Sequence, residues 1–313
     1  MISQFSTVKG FLFLALFLLY LNFNSFAQPN YPRDSKEAEL VYSDLVNFMD
    51  AYRELATAKD TIQVLQSLYF DQGSEGLKEF IKRHQLTPEL LKDAIKSNPE
   101  RYALIPGFLD NIGNVEEQFQ SLMLNYGEVM PNAMYPPTYL LVGANRGIGQ
   151  ASMVGQLITL TRVVDDMDIL QKLITHELSH FQQVMTMGGQ KYVSLYSAPD
   201  NMLGLCLREG GAEFITSLVL GEITQTSALE YLEDDEGNLK EKFLEDLKTQ
   251  KKDYWLWASI NQKSHPKLLG YAVGYKICKH YYDSSSDRDK ALQDILLMSD
   301  DKTFIESSGY FTE

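Results

Sequence analysis

Cysteine is scarce in this chain: Cys206 and Cys278 are the only two in 313 residues. That excludes a disulfide framework. One bridge between them or two buried thiols remain, and two buried thiols are the expectation. Positive charge is also short, with 28 Lys and Arg against 42 Asp and Glu and a formal net charge of −14. Such a surface argues against nucleic acid or an anionic membrane as partner. No internal repeat and no low-complexity tract interrupts the chain. Long apolar runs are missing too, with one exception at the start. "FLFLALFLLYLNFN" follows Lys9, the only charge before residue 28. The run lasts roughly 14 residues, short of the ~20 that a membrane-spanning helix needs. A positive start, a short apolar stretch and the small-residue exit "SFAQ" predict an export signal over residues 1–27. The expected mature protein lies in the periplasm or outside the cell, has no stable membrane span, and is one unit more acidic without Lys9.

What is present reads mainly as helix. Residues 28–130 form an N-terminal helical region, in which "AELVYSDLVNFMDAYREL" repeats apolar residues every three or four positions. "LTPELLKDAIK" carries a helix start: Thr87 as cap, Pro88 in the first position, Glu89 in the first turn. "NPERYALIPGF" reads as a break, and the three prolines of "EVMPNAMYPP" end the pattern before a second region, 131–313. That region opens with the one convincing sheet segment. "TYLLVG" (138–143) and "MVGQLITLTRV" (153–163) read as strands, joined by the Gly-rich stretch 143–152. A helix is expected from the acidic residues at 165–168 to Gly188-Gly189. Further helices are predicted near 201–221, 240–262, 266–283 and 288–298, with "LEDDEGNLKEK" as an acidic loop. The two regions together read as one compact α+β unit.

The chemistry concentrates in "LITHELSHFQQ" (173–183). Two of the chain's five histidines, His176 and His180, stand one helical turn apart and project from one face. Imidazoles so placed can take two corners of a zinc tetrahedron. Glu177, between them, can hold the water that the metal activates. Downstream, "LREGGAEFITSLVLG" places Glu209 and Glu213 one turn apart. Glu209 is a candidate third ligand, and Glu213 a candidate acceptor for the far nitrogen of a ligating histidine. Gly210-Gly211 inside a helix should cost about 1 kcal/mol each relative to alanine. Close packing against the histidine helix is the expected compensation. Tyr271 first, then Tyr275, are candidate donors to an oxyanion; the adjacent Gly270 and Gly274 would let their helix come close. His265 and His280 are weaker candidates, and His84 is expected on the surface.

The H-E-x-x-H pattern followed by a helix beginning E-G-x-A resembles the zinc metallopeptidases called gluzincins. The chain more closely resembles a family of exported bacterial proteins described as predicted zinc-dependent proteases. The likeness covers most of the mature chain, through "QSLYFDQGSEGLKEFIKRH", "MPNAMYPPTYLLVGANRGIGQASMVGQLI", "LITHELSHFQQ", "LREGGAEFITSLVLGE" and "LLGYAVGYKICKHYY". The resemblance implies a mostly helical gluzincin-like fold with a small antiparallel or mixed sheet beside the H-E-x-x-H helix. It implies His176, His180 and Glu209 as zinc ligands and Glu177 as general base. The expected activity is hydrolysis of peptide bonds by a zinc-activated water, on a peptide or protein substrate. An edge strand in such enzymes pairs with the substrate, and "MVGQLITLT" is a candidate for that strand or for an inner one. Two departures stand out. The supporting carboxylate is usually aspartate where this chain has Glu213, and the spacing from His180 to Glu209 is longer than in the best-known gluzincins.

Two other readings compete. The same ligand set could belong to a catalytically inactive zinc-holding module for binding or surface assembly. "LLVGANRGIGQA" together with Tyr275 and Lys279 also mimics a short-chain dehydrogenase. A dinucleotide loop, however, must feed a helix whose N-terminus meets the pyrophosphate, and the next segment, "SMVGQLITLT", reads as strand. Substrate preference and oligomeric state are not legible.

Overall fold

A computed structural model describes residues 30–198, 200–256 and 265–312. The export signal expected over 1–27 lies outside these residues. The remainder is an α+β fold, mostly helical, with one small mixed sheet. Among the described residues no helix is long and apolar enough to cross a membrane.

The chain enters through a short strand, β1 (Leu40–Val41), and then a series of helices. These are α1 (Ser43–Leu55), α2 (Thr61–Leu65), α3 (Glu75–His84), α4 (Pro88–Ser97), α5 (Pro99–Tyr102), α6 (Ile105–Asp110) and α7 (Ile112–Val129). The sequence signals for α4 hold: Thr87 accepts a hydrogen bond from the Leu90 N–H, with Pro88 at the first position. The "NPERYALIPGF" break becomes α5 and α6, each opening on a proline in its first turn. Helix α3 is capped by Ser74, whose own N–H and hydroxyl both donate to buried Asp44 at 2.9 and 2.5 Å.

Next come β2 (Thr138–Leu141), β3 (Gly149–Ser152) and β4 (Gly155–Thr159). The sheet order is β1-β2-β4-β3, parallel except for the β3–β4 hairpin. This corrects the strand boundaries. The last four residues of the Gly-rich connection are themselves strand, and the segment 153–163 contributes only β4 before a tight helical turn over Leu160–Arg162. Strand β4 is therefore internal, and β3 forms the edge. Because a hairpin rather than a helix comes after "GANRGIG", the dehydrogenase reading falls. The N-terminal helices secure the sheet from the side. The buried Tyr69 hydroxyl donates to the Val142 carbonyl at 2.8 Å and accepts from the Val142 N–H at 3.0 Å. Tyr102 donates to the Gly143 carbonyl at 2.8 Å. These hydroxyls satisfy main-chain groups just where strand pairing ends, each worth about 1 kcal/mol net.

Two long helices form the centre, α8 (Met167–Met187) and α10 (Met202–Leu220), linked through α9 (Gly189–Ser197). Helix α8 starts at Asp166, which accepts from the Ile169 N–H at 2.9 Å, and stops at Gly188 with φ +87°. Most of residues 173–183 are buried on every side of the helix, so it is wrapped by protein rather than laid on it. After α10 come α11 (Thr226–Asp234), α12 (Glu236–Leu247), α13 (Lys252–Trp255), α14 (Leu269–Ser284), α15 (Arg288–Leu297) and α16 (Asp301–Ser308). The expected acidic loop is a correction: "LEDDEGNLKEK" ends α11 and begins α12. Ala228, Leu232, Leu239 and Phe243 recur at helical spacing and bury one face, while the charges face outward.

Helices α10 and α14 touch backbone to backbone. A Cβ on Gly210 would lie 2.1 Å from the Gly274 carbonyl carbon, and one on Gly274 would lie 1.8 Å from the Cys206 carbonyl oxygen. The expected packing of the glycine pair thus divides: Gly211 faces Gln183 of α8 together with Ile295 and Met298, but Gly210 faces α14. Cys206 and Cys278 are both free and buried, and burial pushes both thiols up.

Replacing Gly274 with alanine should force α10 and α14 apart and destabilise the protein by about 1–3 kcal/mol. Gly107→Ala, on α6 with nothing near its Cβ, should be neutral or slightly stabilising. Urea unfolding of the two variants checks the contrast.

Candidate metal centre and active site

Helix α8 supplies His176, Glu177 and His180, and α10 supplies Glu209 and Glu213. Helix α9 turns the chain back between them, and so the long spacing between His180 and Glu209 is accommodated. His176 Nε2 lies 3.0 Å from His180 Nε2, and Glu209 Oε2 lies 3.0 Å from His180 Nε2 and 3.4 Å from His176 Nε2. Zinc with ligands at 2.0–2.1 Å in a tetrahedron separates them by about 3.3 Å. The three donor atoms therefore already sit near the edges of such a tetrahedron. His176, His180 and Glu209 also form the one metal-capable group of three among the described residues. They keep 6%, 6% and 8% of their surface, and Glu177 keeps 7%. The centre is thus enclosed, with a small part of each residue still exposed.

The electrostatics fit a cation. Burial alone would raise the Glu209 carboxyl, but the imidazoles of His180 and His176 outweigh it and hold it well below the usual range. Burial likewise opposes charge on His176, yet Glu209 and Glu213 hold that imidazole well above its usual value. The raised imidazole reports the negative potential of the carboxylates, and the lowered carboxyl reports the attraction of the imidazoles in return.

Each histidine is gripped from behind. Glu213 Oε1 stands 3.2 Å from His176 Nδ1, although poorly aligned for a hydrogen bond. Glu213 is fully buried, and Thr224 fixes it: the Thr224 N–H donates to Oε2 at 2.6 Å, and its hydroxyl donates to Oε1. The extra methylene relative to aspartate is taken up without losing the reach to His176. On the other histidine, Nδ1 lies 3.0 Å from Gln183 Oε1 and 3.2 Å from the Tyr192 hydroxyl. No sequence pattern singled out Thr224, Gln183 or Tyr192. Gln183 lies three residues after His180, and that spacing alone could have pointed to it.

Glu177 turns toward the edge of the sheet. Burial raises its carboxyl, the charges of His180 and His176 oppose this, and the Ala151 N–H bonds to it. A Cβ on Gly149 would come within 2.8 Å of Glu177 Oε1, so only glycine leaves the carboxylate its place. The Thr159 N–H donates to the Ile148 carbonyl at 2.9 Å, so the inward main-chain groups of β3 are those of Ile148, Gln150 and Ser152. Those of Gly149 and Ala151 face the open edge, beside Glu177. Tyr271 of α14 stacks parallel to His176, with ring centroids 6.2 Å apart. Burial, then the charge of Glu209 and a hydrogen bond to it, push its hydroxyl well above the usual value, so it remains a donor. Tyr275 does not join the site; its ring packs against Phe214 at 6.3 Å. His265 and His280 also lie elsewhere, bonded to the carbonyls of Pro266 and Ser308. His84 is only half exposed, and its Nε2 meets Gln150 Oε1 of the edge strand at 2.9 Å.

Residues 141–302 match the family described as Predicted Zn-dependent protease (DUF2268). No curated protein and no solved structure matches the chain. The buried His-His-Glu group fits the zinc dependence in that description.

Removing the third donor with Glu209→Ala should weaken zinc retention by roughly tenfold or more, as read by metal analysis after dialysis against a chelator. Retention equal to the wild type would remove Glu209 from the ligand set.

Proposed function

The chain belongs to the family of predicted zinc-dependent proteases, and on that footing we propose that it is an exported peptidase of gluzincin-like architecture. One observation carries the reading: His176, His180 and Glu209 converge at 3.0–3.4 Å while Glu177 lies beside an open strand edge. His176, His180 and Glu209 would hold the zinc, with Glu213 steadying His176. When bound, zinc polarises the scissile carbonyl and acidifies the attacking water.

The protein's own groups do the rest. An extended peptide adds to β3 through the outward main-chain groups of Gly149 and the carbonyl of Ala151, the Ala151 N–H being held by Glu177, which gives affinity without demanding a sequence. The pairing strand is thus β3 and not the segment 153–161. Glu177, raised by burial, takes the proton from the water and returns it to the leaving amide nitrogen. Tyr271, kept protonated, donates to the developing oxyanion. The N-terminal helices of residues 28–130 shape the cleft by fixing the sheet. Lys9 and the apolar run after it support export to the periplasm or beyond.

Glu177→Gln should keep its zinc and lose cleavage of a denatured-protein or peptide library by about 10²-fold or more. Tyr271→Phe should lower kcat by about 10²–10³-fold at unchanged zinc content, whereas Tyr275→Phe should have little effect. Full cleavage by Glu177→Gln would defeat the reading. A zinc-loaded wild type that cleaves nothing in the library would favour a binding module instead.

A further inference from the structure

Gln183 sits on α8 three residues beyond His180 and is fully buried. Its one carboxamide meets two elements of the metal centre. The Nε2 end donates to the main-chain carbonyl of Arg208 on α10 at 2.8 Å, and the Oε1 end lies 3.0 Å from His180 Nδ1. A carbonyl can only accept, so it fixes which end of the amide faces it. The oxygen is then left toward the imidazole, and an oxygen requires that Nδ1 carry the proton. That tautomer makes the Nε2 lone pair of His180 available to a metal at the point where His176 Nε2 and Glu209 Oε2, each 3.0 Å from it, also converge. Arg208 is the residue immediately before Glu209. The same amide therefore ties the orientation of one ligand to the backbone position of another. Gly211 makes room for it: a Cβ there would lie 3.2 Å from Gln183 Nε2. The Tyr192 hydroxyl, 3.2 Å from the same ring nitrogen, closes the other side.

We infer that Gln183 is a positioning residue that bridges α8 to α10, selects the zinc-binding tautomer of His180 and holds Glu209 in register with it. The inference rests on the zinc-site reading above. It differs from the Glu213 contact with His176, which acts on the other imidazole and does not touch the backbone beside Glu209.

The test compares two adjacent glutamines. Gln182 is also buried, but its amide binds the N–H and carbonyl of Met134 at 3.0 and 2.7 Å, away from the metal ligands. In chelator competition with zinc alone, Gln183→Met should weaken affinity about 10–100-fold, and Gln182→Met should change it less than about twofold. Equal affinity of Gln183→Met and wild type would overturn the inference, as would equal losses in both variants. Nitrogen NMR of the metal-free wild type supplies a measurement that needs no variant to fold. His180 Nδ1 is expected to carry a proton in the neutral and in the cationic ring alike; a bare Nδ1 would overturn the assignment. Failure of the wild type to take up zinc would sink the peptidase reading, and the tautomer measurement would still decide this one.

Discussion

Gly210 and Gly274 bring two helix backbones into direct contact, and the active centre depends on that approach. Tyr271 can reach Glu209 only because α14 lies against α10 with no side chain between them. A helix that carries two adjacent glycines gives up about 2 kcal/mol of propensity relative to alanine. That loss is offset by contact area that no bulkier residue would permit. Gly211 uses the second gap differently, as space for the Gln183 amide. The two glycines thus face different helices and serve one centre.

A fully enclosed helix normally reads as apolar all round. Helix α8 instead buries Thr175, His176, Glu177, Ser179, His180, Gln182 and Gln183. Such a segment is tolerable only when its polar atoms find partners. Most do so inside the protein: Thr175 and Ser179 donate to carbonyls one turn back, and the glutamines reach Met134 and Arg208. The His176, His180 and Glu209 donors turn toward one another, which is the arrangement a cation resolves. The two sets interleave along one helix: Thr175, Ser179, Gln182 and Gln183 tie it in place, while His176, Glu177 and His180 turn to the candidate metal site.

Much of this was legible in the chain, for identifiable reasons. Ligands one turn apart announce themselves through helical geometry, as His176 and His180 do, and Thr87-Pro88 marks a helix start through local bonding alone. Glu209 was legible from the ligand arithmetic of zinc. The features that stayed hidden depend on three-dimensional neighbours. Tyr192 and Thr224 meet the centre across turns that local sequence does not fix. Strand β3 was hidden because glycines in "GANRGIGQAS" mask β propensity; its pairing with β4 comes from the hairpin. The acidic run after Leu232 was misleading because its charges coat the outer faces of two helices, with only Leu232 and Leu239 of the window buried. Tyr271 was preferred to Tyr275 in the sequence, and the packing of α14 separates them, Tyr271 stacking on His176 and Tyr275 packing on Phe214.

The stretch matched by the family begins at Leu141, at the last residue of β2. Most of β2, all of β1 and the hydroxyls of Tyr69 and Tyr102 come from earlier in the chain. The matched stretch consequently lacks most of one of the two strands that border β4. Severed there, β4 would lose its parallel neighbour and present a bare, apolar ladder to other molecules, the usual start of intermolecular β-association. The part of the chain before Leu141 contributes nothing to the His-His-Glu group, yet it covers the side of β4 that severing would bare.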